Sequence, residues 1–166
     1  MKLSEILQNI STIRYTKNSD IEISDICYDS RKIKPGCMFV CLKGSNYDGH
    51  NYINEAFMKG ASVIVAQDRI EFENIPIIKV DNTRKFLSLA SANFFKNSAK
   101  KLTTIAITGT KGKTTTSFMV RSILEKAGLK TGIIGTIGAV MGENITKLNN
   151  TTPESYEIHK NFKEMV

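Results

Sequence analysis

The sequence has no run of 18 or more apolar residues, and its opening stretch MKLSEILQNI is broken by Glu5 and Gln8 where a secretory signal needs an unbroken apolar core. Neither a membrane-spanning helix nor an exported precursor is expected, and a cytoplasmic protein is the default reading. Cysteine is scarce: Cys27, Cys37 and Cys41 sit in apolar or strand-like segments with no histidine at a metal-ligand spacing. They read as free core thiols and not as a metal site. Runs of basic residues are missing too. The formal charge of +7 is spread along the chain, and no aromatic residues are interleaved with basic ones as single-stranded nucleic acid binding requires. The lysine excess suits a small polyanion as well as a polymer, and with no basic run or interleaved aromatics nucleic acid and membrane are not expected partners.

What is present is a series of α/β units. Residues 1–10 carry an amphipathic helical pattern (Leu3, Ile6, Leu7, Ile10), and IEISDICYDS alternates as a half-buried strand does. Lys34-Pro35-Gly36 reads as a turn and CMFVCLKG as a buried strand, so Tyr28 to Lys43 is expected to form neighbouring strands. In SNYDGHNYINEAFMKGASVIVAQ a polar loop opens a helix whose inner face is Ile53, Ala56 and Phe57. Gly60 ends that helix, and Ser62 to Ala66 follows as a strand. Ile77 to Val80 is a further strand, and Asp81, Asn82 and Thr83 supply capping groups for a helix over Arg84–Phe95. The polar KNSAKK segment marks a boundary, dividing the chain into domains 1–98 and 99–166.

Beyond that boundary LTTIAITG reads as a strand buried on both faces, leading directly into Gly109-Thr110-Lys111-Gly112-Lys113-Thr114. A helix from Lys113 to Ala127 follows, with Phe118, Met119, Val120, Ile123, Leu124 and Ala127 along one side, then a strand from Thr131. A strand-to-helix corner of this kind exposes unpaired N–H groups and the positive helix end, and glycine lets the backbone approach an anion. Lys113 adds a full charge, and the Thr114 hydroxyl is a magnesium ligand of the right type. The expected ligand is a nucleoside triphosphate. The general pattern GxxxxGK[ST] asks for glycine where this chain has Ile107, so the corner matches only the shorter GxxGK[ST]. The competing reading is a glycine-rich structural turn, which three consecutive threonines, poor helix formers, do not favour.

TGTKGKTTT resembles the shortened P-loop of the Mur ligase family, with Lys111 where asparagine is common. The resemblance extends through YDSRKIKPGCMFVCLKG, GSNYDGHNYINEA, GASVIVAQ, VDNTRKFLSLAS, IGTIG and NNTTPES, and is greatest to the opening of the tripeptide synthetases of that family. It implies an α/β fold: a small N-terminal uridine-nucleotide-binding domain followed by the start of a P-loop central domain. Substrate contacts are implied for Ser30, Arg31, Gly44, Ser45 and Asn46 on the uridine side, and for Thr151 and Thr152 on the muramoyl-peptide side. ATP is implied at Gly109, Thr110, Lys111, Gly112, Lys113, Thr114 and Thr115, with magnesium at Thr114 and Lys113 as the catalytic cation.

The reaction implied is ATP-driven amide formation through an acyl phosphate. It would join UDP-N-acetylmuramoyl-L-alanyl-D-glutamate to meso-diaminopimelate or L-lysine, in a monomeric enzyme of peptidoglycan synthesis. Because the family's chains are more than twice this length, the segment is expected to be a piece of the enzyme, inactive alone. Alternatives are another ligase with the short P-loop, such as a folylpolyglutamate or cyanophycin synthetase, and a noncatalytic uridine-nucleotide module. Arg31 reads equally well as a solvated strand-end charge. His50 reads as a helix-start residue, Asp48 and Gly49 as loop-shaping residues, Pro153 as the first turn of a helix, and His159 as a surface residue.

Overall fold

The computed structural model describes residues 1–12, 14–15, 20–45, 47–68, 70, 74–148 and 152–166. They fall into two compact units, Met1–Phe94 and Phe95–Val166.

The first unit is built on a five-stranded sheet. Its strands are β1 (Arg14–Tyr15), β2 (Ile26–Cys27), β3 (Met38–Val40), β4 (Val63–Ala66) and β5 (Ile77–Lys79), in the order β1-β5-β4-β3-β2. β2 to β5 run parallel and β1 pairs antiparallel with β5. The β-branched and apolar residues of β3 and β4 are buried throughout, as strands covered on both faces require. Helices α1 (Leu3–Ile6), α2 (Ile53–Met58) and α3 (Thr83–Phe94) cover the sheet, with Leu3, Ile6, Ile53, Ala56, Phe86 and Leu87 turned inward. Cys27, Cys37 and Cys41 are free and buried, as expected of core thiols. Burial and the nearby charges of Asp48 and Asp68 push the Cys41 thiol up to about 12.

Local signals account for most boundaries. Asn82 Oδ1 accepts the N–H of Lys85 at 2.8 Å and caps α3. Gly60 takes φ +86° after α2, a conformation that glycine alone adopts without strain. The neighbouring strands expected in the Tyr28–Lys43 region are present as the parallel pair β2 and β3, joined through a 3₁₀ turn at Ser30–Lys32. Phe57 departs from expectation. It is 39% exposed, because in a helix only six residues long the inward stripe is filled by Ile53 and Ala56, and Phe57 falls past its edge.

The second unit holds α4 (Lys113–Lys126), an antiparallel sheet of β6 (Gly132–Gly135), β7 (Gly138–Met141) and β8 (Asn144–Thr146), and α5 (Ser155–Met165). Several expectations fail here. Residues 103–108 form no strand and Ile105 is 59% exposed, since a parallel strand needs ladder partners and none of the described residues pairs with this segment. The apolar side of α4 is correspondingly uncovered: no residue of that helix is buried, and Met119 and Ile123 are 62% and 68% exposed. Pro153 lies before the N-cap, Glu154, instead of inside the first turn. His159 is half-buried rather than on the surface. Its ring meets Phe162 edge-on at 6.0 Å, and burial holds its pKa below the usual value.

Ile64, on the central strand and fully buried, gives the sharpest test of this packing. Ile64→Ala is expected to destabilise the first unit by about 2–5 kcal/mol in urea denaturation. Exposed Ile145→Ala should stay within about 0.5 kcal/mol of the parent.

Candidate functional site

Parallel strands end on the same edge of a sheet, and in open α/β sheets that carboxyl edge is where ligands bind. In the first unit the segments leaving β2 and β3 carry Ser30 and Arg31, and Gly44 and Ser45. The turn after β2 is prearranged. Asp29 Oδ1 accepts the backbone N–H of Arg31 at 3.0 Å, and the same carboxylate takes the Arg31 guanidinium in a bidentate pair at 2.9 and 2.8 Å. Arg31 is thus paired within its own turn, while its side chain is 85% exposed and presents a face to solvent. From the other side, Lys59 Nζ donates to the Ser30 carbonyl at 2.9 Å and to Glu55 Oε1 at 2.6 Å.

The loop after β3 closes on itself. Gly44 N–H donates to the Tyr47 carbonyl at 2.9 Å, and Gly49 N–H to the Leu42 carbonyl at 2.8 Å. Gly49 has no room for a side chain: a Cβ there would lie 2.8 Å from Leu42 N and 2.9 Å from Cys41 Cα, both backbone atoms. Asp48 caps a 3₁₀ turn over Gly49–Tyr52 by accepting the His50 N–H, so Asp48 and Gly49 do shape the loop and His50 does start the helical segment. Ser45 and Tyr47 are exposed; Asn46 lies outside the described residues.

In the second unit the corner before α4 has the expected backbone. Gly112 is its N-cap at φ +79°, ψ −6°, a left-handed conformation that starts the helix without a capping side chain. A Cβ at Gly112 would meet nothing within 4 Å, so conformation and not crowding calls for glycine there. Thr116 N–H closes the first helical bond onto the Gly112 carbonyl at 2.9 Å, which leaves the N–H groups of Lys113, Thr114 and Thr115 ahead of the helical ladder. Lys113 Nζ arches back over the loop and donates to the Gly109 carbonyl at 2.6 Å. Thr110, Lys111, Thr114 and Thr115 are exposed around it. Thr152 is exposed ahead of α5, and Thr151 lies outside the described residues. The arrangement offers an ammonium group, aligned amides and hydroxyls to an anion of phosphate type.

Comparison with known proteins adds to this geometry. A model described as Mur ligase family, catalytic domain, matches residues 22–95, and one described as Mur ligase middle domain matches residues 107–166. The chain belongs to the Mur ligase family. The UDP-N-acetylmuramoyl-L-alanyl-D-glutamate–2,6-diaminopimelate ligases of Clostridium perfringens and Clostridium tetani are each 46% identical to it, over 167 and 170 residues. Those alignments take in all of this chain and 34% and 35% of the relatives, so the chain spans about a third of their length. A solved UDP-N-acetylmuramoylalanyl-D-glutamyl-2,6-diaminopimelate–D-alanyl-D-alanyl ligase from Acinetobacter baumannii covers 74% of the chain at 32% identity with a TM-score of 0.59, over 27% of its own length. A UDP-N-acetylmuramoyl-L-alanyl-D-glutamate–2,6-diaminopimelate ligase structure covers 99% of this Mur ligase chain with a TM-score of 0.72, over 33% of its own length; at 19% identity it speaks to the fold alone.

Two acidic groups of the first unit give the site a pH signature. The Arg31 guanidinium holds the Asp29 carboxyl below the usual carboxylate range, and the His50 backbone N–H does the same for Asp48. A carboxyl whose pKa is depressed by folding stabilises the fold above its unfolded value, near 3.9. That contribution is lost as pH falls through the folded value. The thermal midpoint is expected to drop on acidification from about pH 5 to about pH 3, and Asp29→Asn should make that drop smaller.

Proposed function

We propose that the chain is the N-terminal portion of an ATP-dependent amide-forming ligase of peptidoglycan precursor synthesis, acting on UDP-N-acetylmuramoyl-L-alanyl-D-glutamate with a diamino acid as the incoming amine. Residues 1–98 hold the uridine diphosphate end, and residues 99–166 begin the ATP-binding domain. The single observation that carries this reading is the corner before α4, where Lys113 is drawn over a left-handed glycine turn at a helix start, in a chain 46% identical to diaminopimelate ligases along its whole length. The match of those relatives favours diaminopimelate over lysine as the amine, and a cytoplasmic monomer fits both substrates.

A carboxylate is a poor electrophile because neither oxygen leaves readily, and ATP supplies the phosphoryl group that makes it one. The chain's own residues bind and neutralise. The amides from Gly109 to Lys113 take phosphate oxygens, and Lys113 turns from the Gly109 carbonyl to the β- and γ-phosphates. Lys111, an exposed cation where the family commonly has asparagine, adds charge at the loop's outer side. The donor set fits magnesium: a threonine hydroxyl at Thr114 beside phosphate oxygens is a hard-oxygen environment. Ser30, Arg31, Gly44, Ser45 and Asn46 hold the uridine nucleotide, and Thr151 and Thr152 meet the peptide side.

The two halves of the proposal separate in calorimetry. Lys113→Ala is expected to weaken magnesium-ATP binding at least tenfold and leave UDP binding within about twofold. Arg31→Ala should do the reverse, through loss of a charge-assisted contact. Full ATP affinity in Lys113→Ala would sink the ligase reading in favour of a uridine-binding module. Thermal stabilisation by a folate and not by UDP would point instead to a folylpolyglutamate type of ligase.

A further inference from the structure

The grouping of Asp48, His50 and Asp68 at the carboxyl edge of the first unit brings one ligand atom from each within 4.8 Å of the others, the geometry of a small metal site. The hydrogen bonds exclude that use. Gln67 N–H donates to His50 Nε2 at 3.2 Å, so Nε2 bears the lone pair and the ring proton sits on Nδ1, where it is donated to Asp48 Oδ1. Both ring nitrogens are occupied. Lys43 Nζ lies 3.7 Å from Asp48 Oδ2 and 4.0 Å from Asp68 Oδ2, so a cation already stands between the two carboxylates.

The same bonds run in a line across three loops. Asp48 belongs to the loop after β3. His50 joins it to Gln67 at the end of β4, and Gln67 Oε1 accepts both the N–H and the hydroxyl of Thr83, at 3.3 and 3.2 Å, where α3 begins. The His50 side chain is only 9% exposed, so it has no face to offer a ligand. What it holds is Asp48, which pairs with Lys43 beside Gly44, Ser45 and Tyr47.

We propose that His50 is a positioning residue for the uridine-nucleotide site: it touches no substrate, and fixes Gly44, Ser45 and Tyr47 by tying Asp48 to the ends of β4 and α3. This rests on the uridine reading given above. Ordering the loop in advance spares the ligand that cost, so loosening the tie should appear as lost affinity.

Amide-resolved NMR titration of this chain with UDP, at concentrations up to the millimolar range, tests the proposal. UDP is expected to shift the amides of Ser30, Arg31, Gly44 and Ser45. His50→Ala should raise the Kd for UDP about tenfold and speed hydrogen exchange at the Gln67 amide. Ile64→Ala serves as control, lowering the thermal midpoint at least as much while keeping the Kd within about twofold. A folded His50→Ala with the parent's Kd overturns the proposal and leaves the uridine reading intact. A folded parent chain that shows no shifts with UDP overturns both. If His50→Ala does not fold, Asp48→Asn, which keeps the imidazole and gives up only the charged partner, takes its place: a Kd raised about threefold or more supports the tie, and an unchanged Kd overturns it.

Discussion

Four strands aligned in one direction impose a single condition on everything attached to them: their carboxyl ends open on the same edge. β2, β3, β4 and β5 each end in a polar segment there, and those segments carry Ser30 and Arg31, Gly44 to His50, Gln67 and Asp68, and Asn82 and Thr83. The buried strand interiors contribute nothing polar to that edge, but they fix where each loop starts. His50 and Gln67 then tie three of these segments to one another, while Asp29 pins Arg31 within its own turn and Lys59, at the end of α2, holds the Ser30 carbonyl. A rigid sheet with hydrogen-bonded loops would suit the proposed nucleotide, because groups ordered in advance spare a ligand the cost of ordering them.

Much of this was legible in residue order. Asparagine ahead of α3 and unbroken β-branched runs placed β4, β5 and α3 to within a residue or two, whereas α1, β2 and β3 are shorter than the patterns that announced them and β1 at Arg14–Tyr15 was not anticipated. The P-loop corner was legible because its backbone demand is local: a left-handed residue before a helix calls for glycine, and Gly112 supplies it. The hub at His50 was not. Asp48 is two residues off, but Gln67 stands 17 residues away, just past β4, and nothing in DGHNY announces which backbone amide the imidazole will meet. Only the parallel register of β3 and β4 brings them together.

The second unit shows the opposite failure. LTTIAITG has every local mark of a buried strand, yet residues 103–108 carry no ladder and stay largely exposed. Strand character is a property of pairs, and propensity alone does not supply the neighbour. The apolar side of α4 follows the same logic, since an amphipathic helix is buried only where another layer meets it. What the unit does complete is local or antiparallel: β6, β7 and β8 form by adjacent reversals, and Arg121 ties α4 to the reversal at Gly142 through a 2.9 Å bond to its carbonyl.

The bond from Lys113 to the Gly109 carbonyl makes that ammonium a group already engaged. A polyphosphate bound there, as proposed, would trade a neutral acceptor for a charged one, so the net gain would be the difference between two hydrogen bonds and not the whole of one. Such an exchange discriminates by charge: a neutral ligand of similar shape has nothing with which to draw the lysine off its resting place.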